Sequence, residues 1–84
     1  CWETNPCIYS WDMTGINCCG GTDFLNVANS RFNLNVGDVV VIDGQCYTVT
    51  VAFGPIPLNN IPGTPLISQM YTDCTDCIND NPCL

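Results

Sequence analysis

Residues 36–51, VGDVVVIDGQCYTVTV, leave this chain the fewest ways to fold. Two β-branched runs, 39–42 and 46–51, flank Asp43-Gly44, and Gln45 begins the return. A two-residue Asp-Gly loop between such runs predicts a hairpin with a type I′ turn, because both central residues of that turn need φ > 0. Pairing across it sets Ile42 opposite Gln45, Val41 opposite Cys46, Val40 opposite Tyr47 and Val39 opposite Thr48. Strand alternation gives one face to Val39, Val41, Cys46 and Thr48, and the other to Val40, Ile42, Tyr47, Val49 and Val51. Both faces are largely apolar, the pattern of inner strands covered on two sides. Cys46, in the middle of the hairpin, would tie this core to another segment.

A chain of 84 residues makes one small domain. Residues 1–84 are read as a single β unit, either a mature product or one module of a longer protein. Ordering such a chain costs roughly 1.5 kcal/mol per residue, which a core of this size offsets with little margin. Cysteine is the compensating device. Cys1, Cys7, Cys18, Cys19, Cys46, Cys74, Cys77 and Cys83 are read as half-cystines, which implies an oxidising, extracellular setting. Cys18 and Cys19 are adjacent, and a trans peptide holds such side chains apart, so they are expected to reach two different partners. The sequence does not choose among the pairings that eight cysteines allow.

The rest of the chain reads as strands and loops. Residues 7–13 (CIYSWDM) alternate, with Cys7, Tyr9, Trp11 and Met13 on one side, and predict a half-buried strand. Residues 14–22 form a turn region around paired cysteines and glycines. A short strand over 24–28, a turn at Asn29-Ser30 and a further strand through Phe32, Leu34 and Val36 follow. Residues 53–66 hold four of the six prolines and read as an extended loop, because each proline removes a backbone donor and fixes φ. A last strand over 67–72 precedes a cysteine-rich exit over 73–84. No segment shows a helical apolar period with capping signals. The expected class is all-β: a small disulfide-stapled antiparallel β-sandwich or barrel.

Charge narrows the function. Eight acidic residues face one arginine, Arg31, with no lysine or histidine, for a formal charge of −7. Phosphate neutralisation needs a basic patch, so no nucleic-acid partner is expected, and attraction to an anionic membrane surface fails for the same reason. No run of ~18 apolar residues predicts membrane insertion. The lack of histidine removes the commonest general base and metal ligand, and no catalytic constellation replaces it; an enzyme is not expected. Asp73, Asp76 and Asp80 are close enough in sequence to be weighed as paired carboxylates or calcium ligands, but their spacing fits no known loop and they are read as solvated acids. Cys74-x-x-Cys77 has the spacing of a redox dithiol, yet Asp73 and Asp76 beside it disfavour the thiolate. Cys18, Cys19, Cys74 and Cys77 could supply four zinc thiolates, with only one C-x-x-C knuckle where a good site has two. No cofactor or metal is therefore expected.

Within residues 54–66, Ile56, Leu58, Ile61 and Leu66 are too apolar to be left in water and are the expected assembly interface. The run VGDVVVIDGQCYTVT followed by YTDCTDC resembles the cysteine-containing β repeat modules of viral and phage structural proteins and other extracellular fibres. The likeness covers residues 36–50 and 71–77. It implies a structural building block: a subunit of an extracellular filament, fibre or virion appendage that packs against copies of itself. A second reading is a secreted disulfide-rich binding or inhibitor module that uses loop 54–66. A third takes Cys1 as a lipid-modified N-terminus.

Overall fold

The hairpin forms in the register its turn demands. The structure, a computed structural model, describes residues 9–56 and 64–83. Within them lie the strands Tyr9–Asn17 (β1), Phe24–Ser30 (β2), Val39–Ile42 (β3), Gln45–Ile56 (β4) and Gln69–Tyr71 (β5), and the helix Cys74–Asp80 (α1). Asp43 and Gly44 take φ of 51° and 78°. Between β3 and β4, Val39 faces Thr48, Val40 faces Tyr47, Val41 faces Cys46 and Ile42 faces Gln45.

All five strands belong to one sheet in the order β2-β1-β4-β3-β5, with antiparallel neighbours throughout. The segment leading into β5 comes back to β2. Asn29 N–H donates to the Pro65 carbonyl and Ile67 N–H donates to the Asn29 carbonyl, both at 2.8 Å, in a parallel bridge between Asn29 and Leu66. The two ends of the strand order are thus stitched together. One curled sheet, linked edge to edge by this single bridge, is a partly open barrel and not a two-sheet sandwich.

Inside the curl lies a core of Trp11, Met13, Ala28, Leu34, Val40, Ile42, Tyr47, Val49 and Ile67. Outside it, Val39, Val41 and Cys46 form a second cluster with Cys77 of α1. The two-faced hairpin is therefore covered by the barrel interior on one side and by a helix on the other. Val51 departs from the expected face. Thr14 pairs with Val51 but Gly15 with Val49, so Thr50 is an extra residue on β4 and the alternation resets. Val51 ends up on the outside, 54% exposed, while Ala52 packs on the interior core.

Several boundaries differ from those the sequence predicts. β1 continues through the expected turn to Asn17. Gly15 allows this, since a Cβ there would lie 2.9 Å from Tyr47 Cβ and 3.3 Å from Met13 Cε. β2 includes Asn29 and Ser30, expected to turn. The sheet holds Asn29 from both sides, and the Ser10 hydroxyl donates to Asn29 Oδ1 at 2.8 Å. The expected strand over 32–36 is a loop: Leu34 alone reaches the core, Val36 is exposed, and Asn35 and Asp38 close a turn around Gly37 at φ 100°.

The proline-rich segment does not begin as a loop. β4 runs on to Ile56, with Phe53 opposite Asp12 and Ile56 opposite Ser10. A second register shift there leaves an extra residue on β4, and β3 pairs only with its first four residues. This stretch thus has β1 on one side only among the described residues, so the donor that Pro55 lacks is not required by a ladder. The exit segment also contains the helix that sequence reading left out. Asp73 caps it, accepting from Asp76 N–H at 2.8 Å. At seven residues α1 is too short to display an apolar period. Its one signal was Cys74, Cys77 and Ile78 at i, i+3 and i+4.

Gly15→Ala is expected to destabilise the fold by about 1–3 kcal/mol, because the added methyl meets a neighbouring strand's Cβ in a packed core. A lowered urea midpoint at unchanged slope would show it; an unchanged midpoint would mean that β1 and β4 separate freely.

Candidate interaction surface

Three disulfides, Cys18–Cys74, Cys19–Cys83 and Cys46–Cys77, bind the exit segment to the sheet. They span 56, 64 and 31 residues, with Cα atoms 5.7, 5.7 and 6.1 Å apart. Cys74 and Cys77 lie about one helical turn apart on α1 but reach different strands. Cys74 joins Cys18 just beyond β1, and Cys77 joins Cys46 in β4. The vicinal pair likewise divides, Cys18 to α1 and Cys19 to Cys83. Thr48 fills the space between, its Oγ1 lying 3.1 Å from Cys74 Sγ and 3.7 Å from Cys18 Sγ. All four cysteines weighed as zinc thiolates, and both of the C-x-x-C pair, are thus half-cystines. Cys1 and Cys7 lie outside the described residues.

The acidic cluster of the exit segment has structural duties. Asp73 is the helix cap, and Asp80 Oδ2 accepts from the Tyr71 hydroxyl at 2.7 Å. That hydrogen bond to Asp80, with some burial and the nearby negative charge, holds the Tyr71 phenol above its ordinary range. Beside the Cys19–Cys83 bridge lies a cavity of about 190 Å³ lined by residues including Asn17, Gln45 and Asn81. Its amides build the turn. Asn17 Nδ2 donates to Gln45 Oε1 at 2.9 Å and to the Thr22 carbonyl at 3.3 Å, while Asn17 Oδ1 accepts from Cys19 N–H at 2.8 Å.

The surface that stands out is the outer face of β2, β1 and the second half of β4. α1 covers β3 and the start of β4 but extends no further along the sheet. Register places Leu25, Thr14 and Val51 in one cross-strand row, and Val27, Asp12 and Phe53 in the next. Ile16 borders the helix-covered region, opposite Thr48. Leu25 and Phe53 are 72% and 73% exposed, and Ile16 and Val51 are about half exposed. Apolar side chains laid out over three adjacent strands make a patch rather than scattered surface residues.

The described residues expected from the sequence to form an assembly interface lie apart from this patch. Of that set, Ile56 closes β4 opposite Ser10 and Leu66 bridges to Asn29, partly exposed. Leu58 and Ile61 lie outside the described residues. Sequence reading missed Ile16, Leu25, Val51 and Phe53. Ile16 fell in an expected turn, Phe53 in an expected loop, and Val51 on the interior face until the bulge at Thr50 turned it outward. The legible signal was the outward parity of Asp12, Thr14 and Ile16 once β1 is extended.

Comparison with known protein families, characterised proteins and solved structures finds no match to this chain. Three internal disulfides fit a secreted or extracellular protein. Among the described residues no helix is long and apolar enough to cross a membrane.

Access of the reductant sets the order in which bridges open. Cys19 and Cys83 are exposed, Cys18 and Cys74 half-buried, and Cys46 and Cys77 buried. Under graded phosphine reduction Cys19–Cys83 is expected to open first and Cys46–Cys77 last, as read by alkylation and peptide mass mapping. Early labelling of Cys46 would show that α1 detaches without prior loss of the other bridges.

Proposed function

We propose that this chain is a structural subunit of an extracellular filament, fibre or virion appendage, joined to copies of itself in a homopolymer. The observation that carries the reading is the open apolar face of β2, β1 and β4. A single secreted domain gains nothing from Phe53, Leu25, Val51 and Ile16 in water, whereas a subunit gains a contact. The covalent frame supports the same reading. Bridges that close loops of 31 to 64 residues contribute about 2–4 kcal/mol each, durability of the kind an exposed appendage requires. The resemblance of residues 36–50 and 71–77 to fibre modules agrees with it.

A polymer needs a heterologous contact or two different contacts, since one self-complementary face closes into a dimer. Sedimentation velocity of the oxidised chain from micromolar to millimolar concentration is expected to show a growing series of species beyond the dimer. A single monomer boundary throughout that range would overturn the reading and favour the secreted binding module.

A further inference from the structure

We infer that the cavity beside the Cys19–Cys83 bridge binds a small neutral polyhydroxyl ligand, a single sugar ring in size. Three separate stretches of chain enclose it: Asn17 with the turn after β1, Gly44-Gln45 at the hairpin tip, and the exit segment beyond α1. The Cys19–Cys83 bridge joins the first of these to the last. The hydrogen bond from Asn17 Nδ2 to Gln45 Oε1 joins the first to the second. The walls are therefore set before a ligand arrives, which removes an ordering cost from binding.

The polar groups suit a ligand that both donates and accepts. Gln45 Oε1 accepts from Asn17 Nδ2 at 2.9 Å and from the Tyr47 hydroxyl at 3.4 Å. Those bonds fix the amide plane, and among the described residues Gln45 Nε2 has no acceptor. Asn81 is the converse case. Its Nδ2 donates to the Cys77 carbonyl at 3.2 Å, and among the described residues no donor reaches its Oδ1. One fixed donor and one fixed acceptor are thus unspent on residues that line a single cavity, and a hydroxyl group can serve both. Gly21 adds no side chain to the wall, and a Cβ there would press on Asn17 Nδ2 at 3.0 Å.

Size and charge set the ligand class. A volume of about 190 Å³ equals about six waters at liquid density and lies below the ~300 Å³ at which pockets for drug-sized ligands begin. One ring with its hydroxyls meets that limit. No charged side chain lines the cavity among the described residues, so neither a carboxylate nor an ammonium finds an opposite charge in its wall. Asp43 and Asp80 stand next in sequence to Gly44 and Asn81, and Asp23 Oδ1 accepts from Asn17 N–H; all three disfavour an anion. Pro82 and the disulfide offer an apolar wall to the C–H face of a ring.

The test is a proton–nitrogen correlation NMR titration of the oxidised full chain with glucose and N-acetylglucosamine, using glucosamine and glucuronate as charged rings of similar size. Saturable shifts at Gly21, Gly44, Gln45 and Asn81 are expected with at least one neutral sugar. The expected Kd is on the order of 1 mM, within reach of a ligand of about a dozen heavy atoms. Gln45→Glu keeps the acceptor for Asn17 but loses the unspent donor, and is expected to weaken binding about tenfold. Asn81→Ala loses the unspent acceptor while the backbone N–H of that residue still donates to the Cys77 carbonyl, and is expected to do the same. It carries the test alone should circular dichroism show Gln45→Glu unfolded. No saturable shift with either neutral sugar, well above that Kd, overturns the inference. Shifts that keep native strength in the folded variants overturn the site. Tighter binding of glucosamine or glucuronate than of both neutral rings overturns the ligand class. The cavity shares no lining residue with the apolar face of β2, β1 and β4, so each outcome stands apart from the self-association proposed above.

Discussion

The outward face of the central hairpin is the constraint from which the rest of the molecule follows. Val39, Val41 and Cys46 point away from the barrel interior, yet all three are buried. A five-stranded curl cannot cover its own outside, so another element must do so. α1 is that element, and alone it is inadequate. A seven-residue helix falls well below the length at which an isolated helix holds in water, and Cys77 is its one buried residue. The Cys46–Cys77 bridge resolves both problems at once, since it fixes the helix to the strand the helix must cover. Cys18–Cys74 then pins the start of α1 beside the end of β1.

The same arrangement determines what is left uncovered. The bridges reach Cys18, Cys19 and Cys46, all at one end of the β1–β4 pair. Toward the other end of that pair, β4 passes its first bulge and turns Val51 and Phe53 outward beside β1. The outside of the barrel is thereby divided into a sector closed by helix and disulfides and a sector where Ile16, Leu25, Val51 and Phe53 are exposed. The bulge at Thr50 is what separates them. Without it Val51 would continue the interior face begun by Tyr47 and Val49.

Much of the first sector was legible in the sequence, because local chemistry determined it. Asp43-Gly44 specifies its own turn, and the turn specifies the register of four residue pairs and the two faces of the hairpin. Clustered cysteines announce bridges, although not their pairing. The second sector was illegible for a physical reason. Register shifts depend on how β1 and β4 twist against one another, and neither Thr50 nor Pro55 carries a local mark that distinguishes a bulge from a regular strand or a loop. The alternation of Phe32, Leu34 and Val36 misled in the opposite sense, since one buried side chain is enough to anchor a loop. α1 was missed because two of the residues forming its inner face are cysteines, which read as staples before they read as a helix.

The division of the surface also separates stability from association. The covalent restraints and the buried outer cluster both lie on the helix side, and the interior core is shared by all strands. Ile16, Leu25, Val51 and Phe53 contribute to neither of the two buried clusters. Their apolarity is therefore not explained by folding. A chain this small, with little core to spare, places four large apolar side chains where they leave its own stability unimproved, and the physical gain from burying them arises only when a second surface arrives.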